Sequence, residues 1–182
     1  MPFDMTVSLL SASDYANRVL KVNHAGENGA VNIYRGQIFA ARITASDMLD
    51  ELREFKSHEE KHRAIFWSEL QRRERPRCKS YFLCGIGGFF LGLVTGFFGS
   101  RAIAATTVTV ERVVLGHLEE QLILLRDIDS AAYEAISSIV EEERLHHEQS
   151  AAYIKHDQFW PKVLTPFVAG STEVVIWLGM RL

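Results

Sequence analysis

Six residues have the types and spacing to do chemistry together: Glu27, Glu59 and His62 in the first half of the chain, and Glu111, Glu143 and His146 in the second. Both sets read Glu-x31-Glu-x2-His, and adding 84 to each member of the first gives the second. Residues three apart on an α-helix differ by about 60° in azimuth and about 4.5 Å in rise, so a Glu-x-x-His pair can reach one ion. A separation of 32 residues lets two antiparallel helices joined by a short loop set the isolated glutamate opposite that pair. Two such hairpins face to face deliver four carboxylates and two imidazoles to one bundle core, the donor set of carboxylate-bridged di-iron and di-manganese bundles. Oxygen donors with two nitrogens suit iron or manganese better than a thiolate-preferring metal. Open coordination positions on such ions would admit dioxygen.

A single Glu-x-x-His pair arises on any charged helix surface. Here Glu27 is the only acidic residue between Asp14 and Asp47, and Glu111 the only one between Glu74 and Glu119. A lone carboxylate on an otherwise apolar helical face is costly to bury without a cation, and two of them at equal offsets from two Glu-x-x-His pairs favour a dinuclear site. Tyr34, two turns after Glu27 on the same face, and His117, six residues after Glu111, are candidates to support the ligands from behind. His24 could do the same, cap a helix end or face solvent. His58, His147 and His156 read as surface residues, and Cys78 and Cys84 as free thiols of a reducing compartment.

These residues need helices to position them, and the hydrophobic period is helical throughout. Helices are predicted at roughly 12–43, 46–73, 80–98, 101–127, 130–156 and 161–180, with Ser11 and Ser46 as N-caps and Pro76 and Pro161 as breaks. No segment alternates as a strand bounded by hairpin turns. The 182 residues suffice for a single domain, 1–182, with its own core. Twenty Lys and Arg against 23 Asp and Glu, a net charge of −3, argue against a nucleic-acid binder. Two cysteines are too few for a disulfide framework. The expected architecture is an all-α four-helix bundle with an additional apolar helix between its halves and a C-terminal apolar helix.

That additional helix falls in residues 80–100, which carry no charge and hold six of the twelve glycines and five of the eleven phenylalanines. Gly88, Gly92 and Gly96 recur every fourth residue, a spacing that lets another helix or a flat ligand approach the backbone closely. The run is long enough to be a transmembrane candidate. A single crossing between Glu59 and Glu111, however, would put the two halves of one metal site on opposite sides of the bilayer. The favoured reading is a helix lying on or in one leaflet, beside the apolar stretch from Val163 to Met180. Arg72, Arg73, Arg75, Arg77, Lys79 and Arg101 are available to anionic head groups.

With these residues in hand, the sequence resembles the 5-demethoxyubiquinone hydroxylase family of ubiquinone biosynthesis from about Arg18 to Leu182. The most specific matching pieces are VNHAGENGAVNIYRGQ (22–37), HEEKHRAIF (58–66), TVTVERVVLGHLEEQL (107–122) and EEERLHHEQ (141–149). The resemblance implies a ferritin-like di-iron fold with iron ligands Glu27, Glu59, His62, Glu111, Glu143 and His146, and peripheral attachment to the membrane that holds the quinone. It implies that the substrate is a polyprenylated demethoxy-benzoquinone or its quinol, hydroxylated on the ring with dioxygen. Where the animal branch has His-His-Tyr after the third glutamate, this chain has Gly116-His117-Leu118. A role for that tyrosine therefore does not carry over, whereas His117 is retained.

Electrons could come from NADH, a reductase partner or the quinol itself. No glycine-rich dinucleotide fingerprint follows a strand, so any NADH contact would be of another kind. Neither a secretory signal nor an Arg-rich transit peptide is evident, which favours the cytoplasmic face of a bacterial inner membrane over the matrix side of a mitochondrial one. Homo-oligomers and contacts with other ubiquinone-biosynthesis proteins are compatible with the sequence. Rival readings are a ferritin- or rubrerythrin-like iron oxidation or peroxide scavenger, and a non-catalytic membrane-surface binding protein. A di-iron tRNA hydroxylase is disfavoured by the negative charge.

Overall fold

The computed structural model describes residues 12–156 and 159–181. The described residues are all-α: α1 (Ala12–Thr44), α2 (Leu49–Arg72), α3 (Tyr81–Phe97), α4 (Ser100–Leu125), α5 (Ser130–Ser137), α6 (Val140–Tyr153) and α7 (Phe159–Gly179), with a 3₁₀ turn at Ser46–Met48 before α2. Helices α1, α2 and α4, with the α5–α6 pair as the fourth member, make the bundle. The charge-free run forms α3, packed along α1, and the C-terminal apolar stretch forms α7, packed on α4.

Two apolar plugs close the bundle above and below its middle. One gathers Val19 and Leu20 of α1, Phe66 and Leu70 of α2, and Leu118 and Leu125 of α4, with Ile136 and Ile139. The other gathers Tyr34 and Ala41 of α1, Met48, Leu52 and Phe55, and Ile103 of α4. Glu27 lies between Leu20 and Tyr34, Glu59 and His62 between Phe55 and Phe66, and Glu111 between Ile103 and Leu118. The sequence thus buries these polar side chains at mid-helix with oil on either side, where burial is most costly for an unpaired charge. Helix α4 also buries Thr106 and Thr109, whose hydroxyls donate one turn back to the carbonyls of Ala102 (2.8 Å) and Ala105 (2.7 Å), so neither is left unpaired.

Three expectations about helix ends differ in the structure. Ser46 does not cap α2: it begins the 3₁₀ turn after Ala45, and Met48, buried and helical in φ and ψ, leads into α2 without a side-chain cap. Ser11 lies outside the described residues. Pro161 does not precede α7 but sits in its first turn, where a missing N–H breaks no intrahelical bond. The helix expected over 130–156 divides at Ser138. There the serine hydroxyl donates to the Ala135 carbonyl (2.8 Å) and the Ile139 N–H tightens onto Ile136 (3.2 Å), which re-aims α6. Pro76 falls in the connection after α2 as expected, and α2 itself ends with Glu74 in the left-handed region (φ 53°) and the Arg75 N–H on the Leu70 carbonyl (2.9 Å).

The glycine stripe has a direct structural use. Gly88 and Gly92 face Gly29 and Ile33 of α1 so closely that a β-carbon at either would overlap a backbone carbonyl, and Gly96 lies against Gln37 and Ala40. Gly99, at φ 84°, makes the turn from α3 into α4 in a conformation other residues resist. Among the described residues no helix is long and apolar enough to cross a membrane. The opposite face of α3 is exposed nonetheless, with Phe82 (71% exposed), Leu83, Ile86, Phe90 and Val94 outward, and Phe167 (75%), Val174 and Trp177 continue the apolar surface on α7. Gly92→Ala is expected to destabilise the fold by about 1–3 kcal/mol through overpacking. Gly116→Ala, where an added methyl meets nothing within 4 Å, should not destabilise it; thermal unfolding of the two variants checks the contrast.

Candidate metal centre

Four helices converge on one polar cluster: Glu27 from α1, Glu59 and His62 from α2, Glu111 from α4, and Glu143 and His146 from α6. None is more than 5% exposed. Two sets of four offer ligand atoms all within 4.8 Å of one another: Glu27, Glu59, His62 and Glu143, and Glu59, Glu111, Glu143 and His146. Glu59 and Glu143 belong to both sets, which is the arrangement two adjacent ions need if two carboxylates are to lie between them. All six residues singled out in the sequence are therefore brought together.

The imidazoles are held with one face in and one face out. Nδ1 of His62 lies 2.9 Å from Glu143 Oε1 and 3.7 Å from Glu59 Oε2, while its Nε2 points outward to Glu142 Oε2 at 2.7 Å. Nδ1 of His146 lies 3.2 Å from Glu59 Oε1 and 3.9 Å from Glu143 Oε2, and its Nε2 meets His58 Nδ1 at 3.0 Å. His58 is thus not simply a surface residue: it is half-buried and stacked on His146, with ring centroids 5.3 Å apart. Glu142 and His58 were not singled out as site residues, because only the approach of α6 to α2 brings them behind His62 and His146. The run EEER at 141–144 is the one local trace of the former.

Tyr34, fully buried, donates its hydroxyl to Glu111 Oε1 at 3.1 Å. His117 does not join the cluster; its Nε2 pairs with Glu173 of α7 at 3.0 Å. His24 neither caps a helix nor faces solvent. It is buried and stacked between Trp67 and Tyr81, with Arg77 over both of those rings. His147 is half-buried and His156 exposed, and Cys78 and Cys84 are free and buried.

Crowding four carboxylates out of water sets the protonation of the cluster. Burial, then the neighbouring Glu59 and Glu143, holds Glu27 well above the usual carboxylate range, and burial with Glu143 and Glu59 does the same to Glu111. Burial also acts to raise Glu59, but its contacts with His146 and His62 outweigh that and carry it below the ordinary value. Burial acts to lower His62, and Glu143 and Glu59 reverse this and raise it to about 10. Protons are thus standing in for cations. The donor set fits metal on a second ground: Glu59 Oε1, Glu143 Oε2 and His146 Nδ1 are buried and make no hydrogen bond among the described residues, although His146 Nδ1 approaches both oxygens. Orphaned donors of this kind inside a protein call for a partner.

The cluster forms the floor of a cavity of about 450 Å³ between α1, α3, α4 and α7. Its walls are largely apolar, with Val22, Ile33, Leu91, Val110, Leu118 and Ile176 among them, and Glu27, Glu59, Glu111 and Glu143 all line it.

An all-α bundle with a buried cluster of four glutamates and two histidines beside an apolar cavity defines a helical-bundle protein with a site able to hold metal. The chain belongs to the family described as ubiquinone biosynthesis protein COQ7, which matches residues 14–179. It is similar to the NADPH-dependent 3-demethoxyubiquinone 3-hydroxylase, mitochondrial, of Dictyostelium discoideum, 34% identical over 170 residues that cover 90% of this chain and 76% of the relative. It is similar also to the 3-demethoxyubiquinol 3-hydroxylase of Rhodospirillum rubrum, 31% identical over 166 residues (91% and 77%). A third relative is the 5-demethoxyubiquinone hydroxylase, mitochondrial, of Saccharomyces cerevisiae, 30% identical over 186 residues (92% and 78%).

Outward partners that orient metal-binding imidazoles commonly govern affinity by 10–100-fold. Glu142→Ala should therefore weaken Co(II) binding by about that factor with helix content unchanged, whereas Glu141→Ala, on the exposed side of α6, should leave it as it was. Titration by Co(II) absorption, with circular dichroism alongside, checks both.

Proposed function

We propose that this protein is a di-iron, dioxygen-dependent monooxygenase that hydroxylates the ring of a polyprenylated demethoxy-benzoquinone or its quinol in ubiquinone biosynthesis. The observation that carries the proposal is the apolar cavity ending on the buried glutamate and histidine cluster. A flat, lipophilic ring fits such walls, and among the described residues the carboxylates it meets are at the floor. The relatives named as hydroxylases of the same quinone class support the substrate assignment.

Glu27, Glu59, His62 and Glu143 would hold one iron, and Glu59, Glu111, Glu143 and His146 the other, with Glu59 and Glu143 shared. Iron bound there supplies the activation of dioxygen that insertion into a ring C–H bond requires. The net reaction takes dioxygen, two electrons and two protons, replaces a ring hydrogen by hydroxyl and releases water. The chain's own part is positioning and exclusion. Tyr34, its phenol raised by burial and by Glu111, stays protonated and holds Glu111 by its hydroxyl. Glu142 and His58 fix the imidazoles from outside. The two apolar plugs keep bulk water from the cluster along the bundle axis.

The exposed apolar faces of α3 and α7 support a seat on a membrane surface, with the polyprenyl tail reaching the cavity from the lipid side. NADH, NADPH, a reductase partner or the quinol itself would supply the electrons; NADPH dependence is in the name of the Dictyostelium relative.

Anaerobic loading with Fe(II), followed by labelled dioxygen, a chemical reductant and a short-tailed demethoxy-benzoquinone, should give a product carrying one labelled oxygen atom. A quinone recovered without it sinks the proposal. Glu27→Ala and His146→Ala should each lose bound iron and abolish turnover, measured by iron assay and product mass. Full iron content and turnover in both would overturn the ligand assignment.

A further inference from the structure

The cavity wall holds few polar side chains away from its floor: Asn23, His117, Gln121, Ser171 and Thr172. Most are already committed. Ser171 and Thr172 donate their hydroxyls to the Val168 carbonyl within α7, at 2.9 and 2.8 Å. His117 is engaged with Glu173. Asn23 and Gln121 differ. Asn23 Nδ2 donates to Gln121 Oε1 at 2.8 Å, and Gln121 Nε2 approaches Asn23 Oδ1 at 3.4 Å. Each amide carries two N–H groups and a carbonyl with two lone pairs. The reciprocal contact uses one of each, so each amide keeps one N–H and one lone pair. Gln121 is only 4% exposed, and both residues line the cavity.

Their position is as telling as their chemistry. Asn23 is one turn before Glu27 on the same face of α1, about 6 Å along the axis, a distance comparable to the span of a six-membered ring with para oxygens. We propose that the paired amides of Asn23 and Gln121 grip a ring oxygen of the quinone or quinol and so decide which ring carbon faces the carboxylate cluster. This rests on the functional reading above and adds to it the residues that set ring orientation. A quinone oxygen only accepts, whereas a quinol hydroxyl also donates. An amide serves both redox states with the same atoms, which neither a lysine nor a carboxylate can do. The pair is also neutral, so it adds no charge to an apolar wall.

The test uses iron-loaded protein, kept anaerobic for binding and then given dioxygen and a chemical reductant for turnover, and two probes: a demethoxy-benzoquinone with one isoprene unit, and the arene of the same shape without ring oxygens. In Gln121→Met and Asn23→Leu, quinone affinity by equilibrium dialysis should fall about tenfold, arene affinity should hold, and turnover should yield less hydroxylated quinone per dioxygen consumed. Unchanged quinone affinity with an unchanged yield of hydroxylated quinone per dioxygen overturns the assignment, as does an equal loss of quinone and arene, which marks the pair as a tie between α1 and α4. Should Gln121→Met fail to fold by circular dichroism, half-buried Asn23 carries the test alone. Wild-type protein that binds and hydroxylates the quinone while the variants behave identically overturns this assignment only. Wild-type protein that does neither overturns the reading beneath it.

Discussion

Four buried carboxylates share one small volume in this protein, and the rest of the structure answers to that fact. Taking an ion out of water costs several kcal/mol even after relaxation, and like charges so close cannot all persist. Burial and mutual repulsion push Glu27 and Glu111 toward the protonated form, and the carboxylates push His62 toward the charged one, a balance that cations can take over. Everything around it preserves the geometry: apolar plugs on both sides along the bundle, Tyr34 on Glu111, and Glu142 and His58 behind the imidazoles.

The cavity follows from the same constraint through α3 and α7. A four-helix bundle alone would close over its centre. Here α3 lies against α1 and α7 against α4, and the space between them opens onto the cluster from the side. The charge-free segment is therefore a wall of the site as well as an outer surface. Its inner edge supplies Gly88 and Leu91 to the cavity, and its outer edge presents phenylalanines.

Much of this was legible in the sequence because it depends on spacing along single helices. The i, i+3 pairs and the 32-residue separation place all six cluster residues without knowledge of how helices cross, and the glycines every fourth residue announce a close backbone contact. What was not legible depends on relations between helices. His58 reads as a surface histidine until α6 is laid over α2. Asn23 and Gln121, 98 residues apart, share no local pattern. The break at Ser138 turns on one hydroxyl choosing a backbone carbonyl, and Ser46 fails as a cap because the chain enters α2 already coiled. Helix ends are settled by such small competitions, which composition does not reveal.

Helix α3 divides the freedom to vary between its two sides. Inward, its contact with α1 is backbone against backbone, and a single added carbon at Gly88 or Gly92 has nowhere to go. Outward, Phe82, Ile86, Phe90 and Val94 are largely exposed. Substitutions on that side can accumulate without disturbing the seat of the helix on α1, which carries Glu27. Descendants of this chain can thus retune their outer surface to a new neighbour while the chemistry below is inherited unchanged.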